Sequence, residues 1–290
     1  MTVLRMLVPL ALIALCLWLA DAGGVILRLA GASPGWIGTT VVLLGGVTGL
    51  SALRWRLTAG ALGLPMTRRA ALGEYFMAQF VNQTLPGGVL GDAARAQRSR
   101  QGGALAPAAQ AVVIERASGQ VGMGAVLALG LGLSDVPLPR LAWTALVVLA
   151  ALAFALALIG ARRSGSWPAA IRATLLRQSG PQAGLSLVIA ALTVAGFAAA
   201  ARATGTTLTL PETALLGPLI LTAMLLPASV GGWGWREGAA SALFPLAGLA
   251  PEAGLAASIA FGLGTLAAAL PGAFFLRRPQ GARTIADPPK

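Results

Sequence analysis

Long apolar runs, separated by short polar stretches that hold most of the charge, set the pattern of this chain from Met6 to Leu276. A helix of about 20 apolar residues crosses a bilayer. On that measure the pattern predicts six full spans: Met6 to Leu27, Trp36 to Leu53, Gln120 to Leu133 with its upstream turn, Leu141 to Gly160, Ala183 to Ala201, and Ala253 to Leu276. Two further segments are apolar but interrupted. Residues 70–117 are split by Pro86-Gly87-Gly88 and a polar stretch, and residues 210–249 by Pro227 and Gly231-Gly232. Backbone with unpaired N–H and C=O groups cannot face lipid, and persists at membrane depth only inside protein or beside a wet cavity. Each broken segment is therefore expected to form a re-entrant hairpin. The expected fold class is all-α integral membrane, six transmembrane helices plus two re-entrant helical hairpins in an inverted repeat. Half one covers 36–133 with hairpin 70–117, and half two covers 183–276 with hairpin 210–249. Residues 1–276 read as a single transmembrane domain, and 277–290 as a basic, proline-containing cytoplasmic tail.

Composition agrees: 57% of residues are hydrophobic and only 10% charged, against about 25% charged in an ordinary soluble domain. The net charge of +12 raises the question of nucleic acid, and the placement of the cations answers it. They bracket apolar runs rather than covering a polar face, so nucleic acid is excluded as a partner. With both termini inside, the cytoplasmic set is Arg5, Arg54, Arg56, Arg68, Arg69, Arg95, Arg98, Arg100, Arg162, Arg163, Arg172, Arg177, Arg277, Arg278, Arg283 and Lys290. Only Arg28, Arg140 and Arg202 fall outside, while Arg116 and Arg236 belong to the hairpins. This bias places the chain in the cytoplasmic (inner) membrane as a multi-pass protein. Arg5, the run after it and Ala20-Asp21-Ala22 imitate a cleavable secretory signal, but hydrophobicity resumes at Val25, which favours a retained first helix.

The chain has one cysteine, Cys16, and no histidine. A disulfide framework and the commonest general base and metal ligand are thus missing, and neither a metal nor a cofactor is expected. No phosphate-binding loop of the G-x-x-x-x-G-K-[ST] type occurs, which argues against ATP-driven work by this chain. The glycines Gly122, Gly124, Gly130, Gly132, Gly262 and Gly264 read as close-packing positions between helices.

Ionisable residues at membrane depth are costly and usually face an interior. The candidates are Asp92 and Arg95 after the first break, Glu115 and Arg116 on its return limb, and Arg236 and Glu237 after the second. In one reading Arg116 and Arg236, with Arg95, present guanidinium forks to an anionic lipid head group. Gly87, Gly88, Gly231 and Gly232 would free backbone donors at half-helix ends beside it. In the other, Glu115, Arg116, Arg236 and Glu237 neutralise one another and pin the hairpins together. Asp92 is better read as a helix N-cap than as a ligand. Asn82, with Gln83 and Thr84, is expected to satisfy broken backbone or touch ligand, and Trp233 and Trp235 to be interfacial anchors or site walls.

At Gln79 to Arg95 (QFVNQTLPGGVLGDAAR), at Ile114-Glu115-Arg116, and at Leu225 to Glu237 (LLPASVGGWGWRE), the chain resembles the lysylphosphatidylglycerol synthase transmembrane-domain family. In two-domain members this membrane part is a flippase for aminoacylated phosphatidylglycerol, followed by a soluble aminoacyltransferase. The resemblance implies the translocating half as a stand-alone protein, with a lipid site on Asp92, Arg95, Glu115, Arg116, Arg236 and Glu237. Single-domain relatives are linked to hopanoid handling, glycosyltransferases and polyprenyl-phosphate sugar pathways. The leading expectation is therefore a non-enzymatic, flippase-like translocator of an anionic or amphiphilic lipid. Two rivals stand beside it: a non-catalytic membrane partner of a lipid-modifying glycosyltransferase, and an intramembrane transferase acting on lipid phosphates, which the missing histidine weakens.

Overall fold

The computed structural model describes residues 14–16, 18, 21–85, 88–100, 105–136, 165–225 and 230–276. All regular structure among them is helical. The helices are α1 (Ala22–Ala30), α2 (Pro34–Ala61), α3 (Arg68–Thr84), α4 (Leu90–Ser99), α5 (Leu105–Leu133), α6 (Ser166–Ile171), α7 (Ser179–Ala203), α8 (Leu210–Thr222), α9 (Trp235–Leu243) and α10 (Pro251–Ala269). A 3-10 segment, Leu270–Phe275, continues α10. Among the described residues, four helical stretches are long and apolar enough to cross a membrane: Pro34–Ala61, Leu105–Leu133, Ser179–Ala203 and Pro251–Phe275. The expected span Leu141 to Gly160, the residues Pro86, Gly87, Leu226 and Pro227, and the tail 277–290 lie outside the described residues, as does most of the chain before Asp21.

The first run is capped within the segment expected to pass straight through to Leu27. Asp21 accepts a hydrogen bond from the Gly23 N–H at 3.0 Å and starts α1 at Ala22, the ordinary use of an aspartate N-cap. Two other expected boundaries move. The division at 117 between hairpin and closing span falls inside α5, whose 29 residues run unbroken. The span expected to end at Leu53 continues to Ala61 and carries Arg54 inward, where it is 3% exposed.

Helices α2 and α7 form the centre of the bundle and run antiparallel, with pairings at each level. Ser33 N–H donates to Ala203 O at 2.9 Å, Arg54 Nη1 to Ser186 Oγ at 3.1 Å, and Gln182 Nε2 to Thr58 Oγ1 at 2.9 Å. The Ala61 end of α2 leads into α3, and the Ala203 end of α7 leads into α8. Because α2 and α7 are antiparallel, α3 and α8 set out from opposite ends of the bundle.

Each of these helices is followed by a shorter one folded back on its neighbours. Helix α4 packs on α3, where a Cβ on Gly91 would strike the backbone carbonyl of Ala78. Helix α9 packs on α8 and α10, where a Cβ on Gly254 would strike the Ala240 carbonyl. At 1.5 Å per residue, the 10 residues of α4 and the 9 of α9 reach only about 15 Å, half the hydrocarbon thickness. The long helix that follows each folded-back pair packs on the first helix of the other pair. Gly130 of α5 lies against Ala214 of α8, and Gly272 after α10 lies against Phe76 of α3. Gly122 and Gly264 seat likewise on Ser186 and Thr40, as close-packing positions should. Gly124 and Gly132 do not: nothing stands within 4 Å of a Cβ placed there.

Candidate functional site

The turn between α3 and α4 is held by Asn82. Its Oδ1 accepts from the Gly91 N–H at 2.7 Å and its Nδ2 donates to Asp92 Oδ2 at 3.2 Å. One side chain thereby satisfies a donor at the start of α4 and orients the first carboxylate of the site. Asp92 is not the N-cap. Val89 holds that position, and Asp92 stands in the first turn, free to turn its carboxylate sideways. Its Oδ1 accepts from Arg95 Nη2 at 3.0 Å and its Oδ2 pairs with Arg116 Nη2 at 2.7 Å.

Glu115, fully buried on α5, gathers the rest. Its Oε1 accepts from Arg54 Nη2 at 2.7 Å and Tyr75 Oη at 3.1 Å, and its Oε2 pairs with Arg95 Nη2 at 3.3 Å. Arg95 also lies over the rings of Trp55 and Tyr75, 4.6 and 4.3 Å from their centroids, so aromatic faces replace part of its lost hydration. Its Nε and Nη1 have no hydrogen-bond partner. Arg54, Trp55 and Tyr75 were not among the predicted site residues. Arg54 ends an apolar run, where a cation ordinarily marks the membrane edge, and only its partner 61 residues away reveals that it is buried. Adjacent residues on α5 divide the work: Glu115 points into the protein and Arg116 keeps 45% of its side chain exposed.

The second centre is built by the turn Val230–Gly234. Gly231, Gly232 and Gly234 all have positive φ, a backbone route that side chains with a Cβ rarely take. Arg236 and Glu237 follow at the start of α9, both fully buried. Glu237 Oε2 accepts from the Gly234 N–H at 2.6 Å, and its Oε1 pairs with Arg236 Nη2 at 2.6 Å. Ser258 of α10 accepts from Arg236 Nε at 2.9 Å and donates to Glu237 Oε1 at 2.9 Å. Trp233 lies against Arg236, its ring centroid 5.0 Å from the guanidinium carbon. A Cβ on Gly262 would strike both Trp233 and Arg236, so this glycine makes room for a guanidinium rather than for a helix. Trp235 is partly buried at the start of α9.

Each centre therefore pairs its ions within itself. Glu115 pairs with Arg54 and Arg95, Arg116 with Asp92, and Arg236 with Glu237. Among the described residues, the expected mutual quartet of Glu115, Arg116, Arg236 and Glu237 does not form. The two turns still meet: Gly231 abuts Gln83 at the end of α3, and the buried Gln83 Oε1 has no hydrogen-bond partner. Gly88, of positive φ, is half-buried beside the first turn, and Gly87 lies outside the described residues. Among the described residues, no cluster of three or more histidine, cysteine or acidic side chains could hold a metal ion.

No curated protein and no solved structure matches the chain. The family described as the lysylphosphatidylglycerol synthase TM region does, over residues 6–272, a stretch that contains helices α1 to α10 and both ionic centres. On that match the chain belongs to the lysylphosphatidylglycerol synthase transmembrane-region family, as the resemblance in its three motifs implied.

Proposed function

We propose that the protein moves the charged head group of a membrane lipid between leaflets, the tails remaining in the bilayer. The substrate class is an anionic or amphiphilic lipid, such as a phospholipid, a hopanoid or a polyprenyl-phosphate derivative. The observation that carries this reading is the pair of folded-back helices, α3–α4 and α8–α9, that start from opposite ends of the bundle and bring buried ions to their turns. We read them as re-entrant hairpins of an inverted repeat, an arrangement suited to alternating access around a central site. Family membership supports a lipid-related role. The described surface cations support an orientation: Arg56, Arg68, Arg69, Arg98, Arg100, Arg172 and Arg177 cluster toward the Ala61 end of α2, and Arg28 and Arg202 toward the other. By the positive-inside rule the first end faces the cytoplasm of an inner-membrane protein.

In this reading Arg116 meets the head group, Arg95 and Glu115 position it, and Arg236 with Glu237 and Ser258 holds the second hairpin's turn. The test is reconstitution in vesicles with a fluorescent lipid, the outer leaflet being quenched by a membrane-impermeant reductant. Wild-type protein is expected to expose inner-leaflet label to quenching, and Arg116→Ala to slow that exchange by roughly tenfold or more, the loss of a charge-assisted hydrogen bond. Exchange equal to that of empty vesicles would reject transport by the chain alone and favour the role of partner to a lipid-modifying glycosyltransferase.

A further inference from the structure

The two ionic centres differ in charge. The second is neutral, Arg236 against Glu237. The first holds Arg54, Arg95 and Arg116 against Asp92 and Glu115. Among the described residues it keeps one positive charge in excess, at a depth where water and counterions do not neutralise it cheaply. Protonating either carboxylate would enlarge the excess, whereas one bound negative charge would remove it.

The excess has an address. Arg54 and Arg95 are almost wholly buried and tied to Glu115, whereas Arg116 is held by Asp92 and nearly half exposed. On the same face of α5, one turn away, Val113 is itself exposed, and the turn beside Arg116 presents Leu85, Val89 and Leu90. A charged group with open apolar surface around it suits a phosphate carried on acyl or prenyl tails. Asp92 already offers Arg116 what such a phosphate would offer, an anionic oxygen at 2.7 Å.

Among the described residues, no acid at this depth is left for a cation. Asp92 is engaged by Arg95, Arg116 and Asn82, Glu115 by Arg54, Arg95 and Tyr75, and Glu237 by Arg236, Ser258 and the Gly234 N–H. An ammonium group on the head would meet the excess positive charge with no carboxylate free to receive it.

Resting on the lipid-carrier reading, we propose that the head group taken by this chain is a phosphodiester with a single negative charge and no added ammonium group. It binds at the first ionic centre alone, on the exposed edge of Arg116, which stays paired with Asp92. Aminoacylated lipids are thereby disfavoured, although the family takes its name from a lysylated one.

The test is competitive lipid retention by the purified full-length chain, read by native mass spectrometry from a mixture of phosphatidylglycerol, phosphatidylcholine and lysylphosphatidylglycerol. Phosphatidylglycerol should be retained roughly tenfold or more over each of the others, the value of one charge-assisted contact. Arg116→Gln should abolish that preference, Arg116→Lys should keep part of it, and Asp92→Asn should raise phosphatidylglycerol retention by freeing Arg116. Equal or stronger retention of the lysylated lipid, or a preference untouched by Arg116→Gln in a folded variant, would overturn the proposal while leaving a lipid carrier standing. Retention of none of the three, together with no leaflet exchange, would overturn the carrier reading as well. Glycerophosphoglycerol, the same diester without tails, is added as competitor: displacement at equal concentration would overturn the lipid as its source, and failure to displace supports it.

Discussion

Glu115 shows how much one buried side chain can hold. Removing Glu115 would leave Arg54 and Arg95 inside the protein without their shared counter-ion, and the loss of one partner of a buried ion pair costs about 3–5 kcal/mol. Glu115→Ala should therefore lower the melting temperature in detergent sharply. Glu74→Ala, which breaks the partly exposed pair with Arg98, should cost about 1 kcal/mol or less. Comparable losses from the two variants would contradict the structural role assigned to Glu115. The sequence marked Glu115 as unusual because it interrupts an apolar run, but it could not say what Glu115 pairs with. Arg54 and Arg95 read equally well as cytoplasmic charges, since position relative to a run does not reveal which way a side chain points. Asp92 failed as a cap for a related reason: its three-residue spacing to Arg95 fits a cap and a side-chain ion pair alike, and the start of α4 one turn earlier decides between them.

At the level of elements, the glycines separate packing contacts from spare surface. Gly91 and Gly272 sit directly on the carbonyls of Ala78 and Phe76, and backbone cannot retreat as a flexible side chain can. Gly91→Ala and Gly272→Ala should each cost about 1–3 kcal/mol. Gly124→Ala, facing open space, should be neutral or stabilising by up to about 1 kcal/mol through helix propensity. Thermal stability of the three variants checks this, and a destabilised Gly124→Ala would contradict the packing described. The long helices α2, α5, α7 and α10 were legible because apolar residues dominate their composition, whether they point outward or, as in most of α10, into the protein. Their true ends were not: α2 runs eight residues past Leu53, to Ala61, because buried polar residues such as Arg54 and Thr58 are supplied with partners by α5 and α7. The interruptions at Pro86-Gly87-Gly88 and Gly231-Gly232 were legible as breaks, since glycine and proline disturb helix wherever it lies. That Gly262 accommodates Arg236 was not, because a small residue in an apolar helix has the same appearance whatever fills the space beside it.

At the scale of the whole molecule, the antiparallel contact of α2 with α7 makes α3 and α8 set out from opposite ends of the bundle. The exchange of partners, α5 against α8 and the end of α10 against α3, ties each folded-back pair to the long helix that follows the other. On the proposed function, this cross-packing couples the two pairs as a head group passes from one leaflet to the other. The most direct measurement is cysteine accessibility in intact membrane vesicles, with Cys16→Ser removing the native thiol. Arg69→Cys and Arg100→Cys mark the two feet of the first hairpin, and Thr207→Cys and Gly248→Cys those of the second. The account predicts that an impermeant thiol reagent labels the first two from the cytoplasmic face only and the last two from the opposite face only. Labelling of Arg69→Cys and Arg100→Cys from different faces would mean that the segment crosses the membrane, and would contradict it.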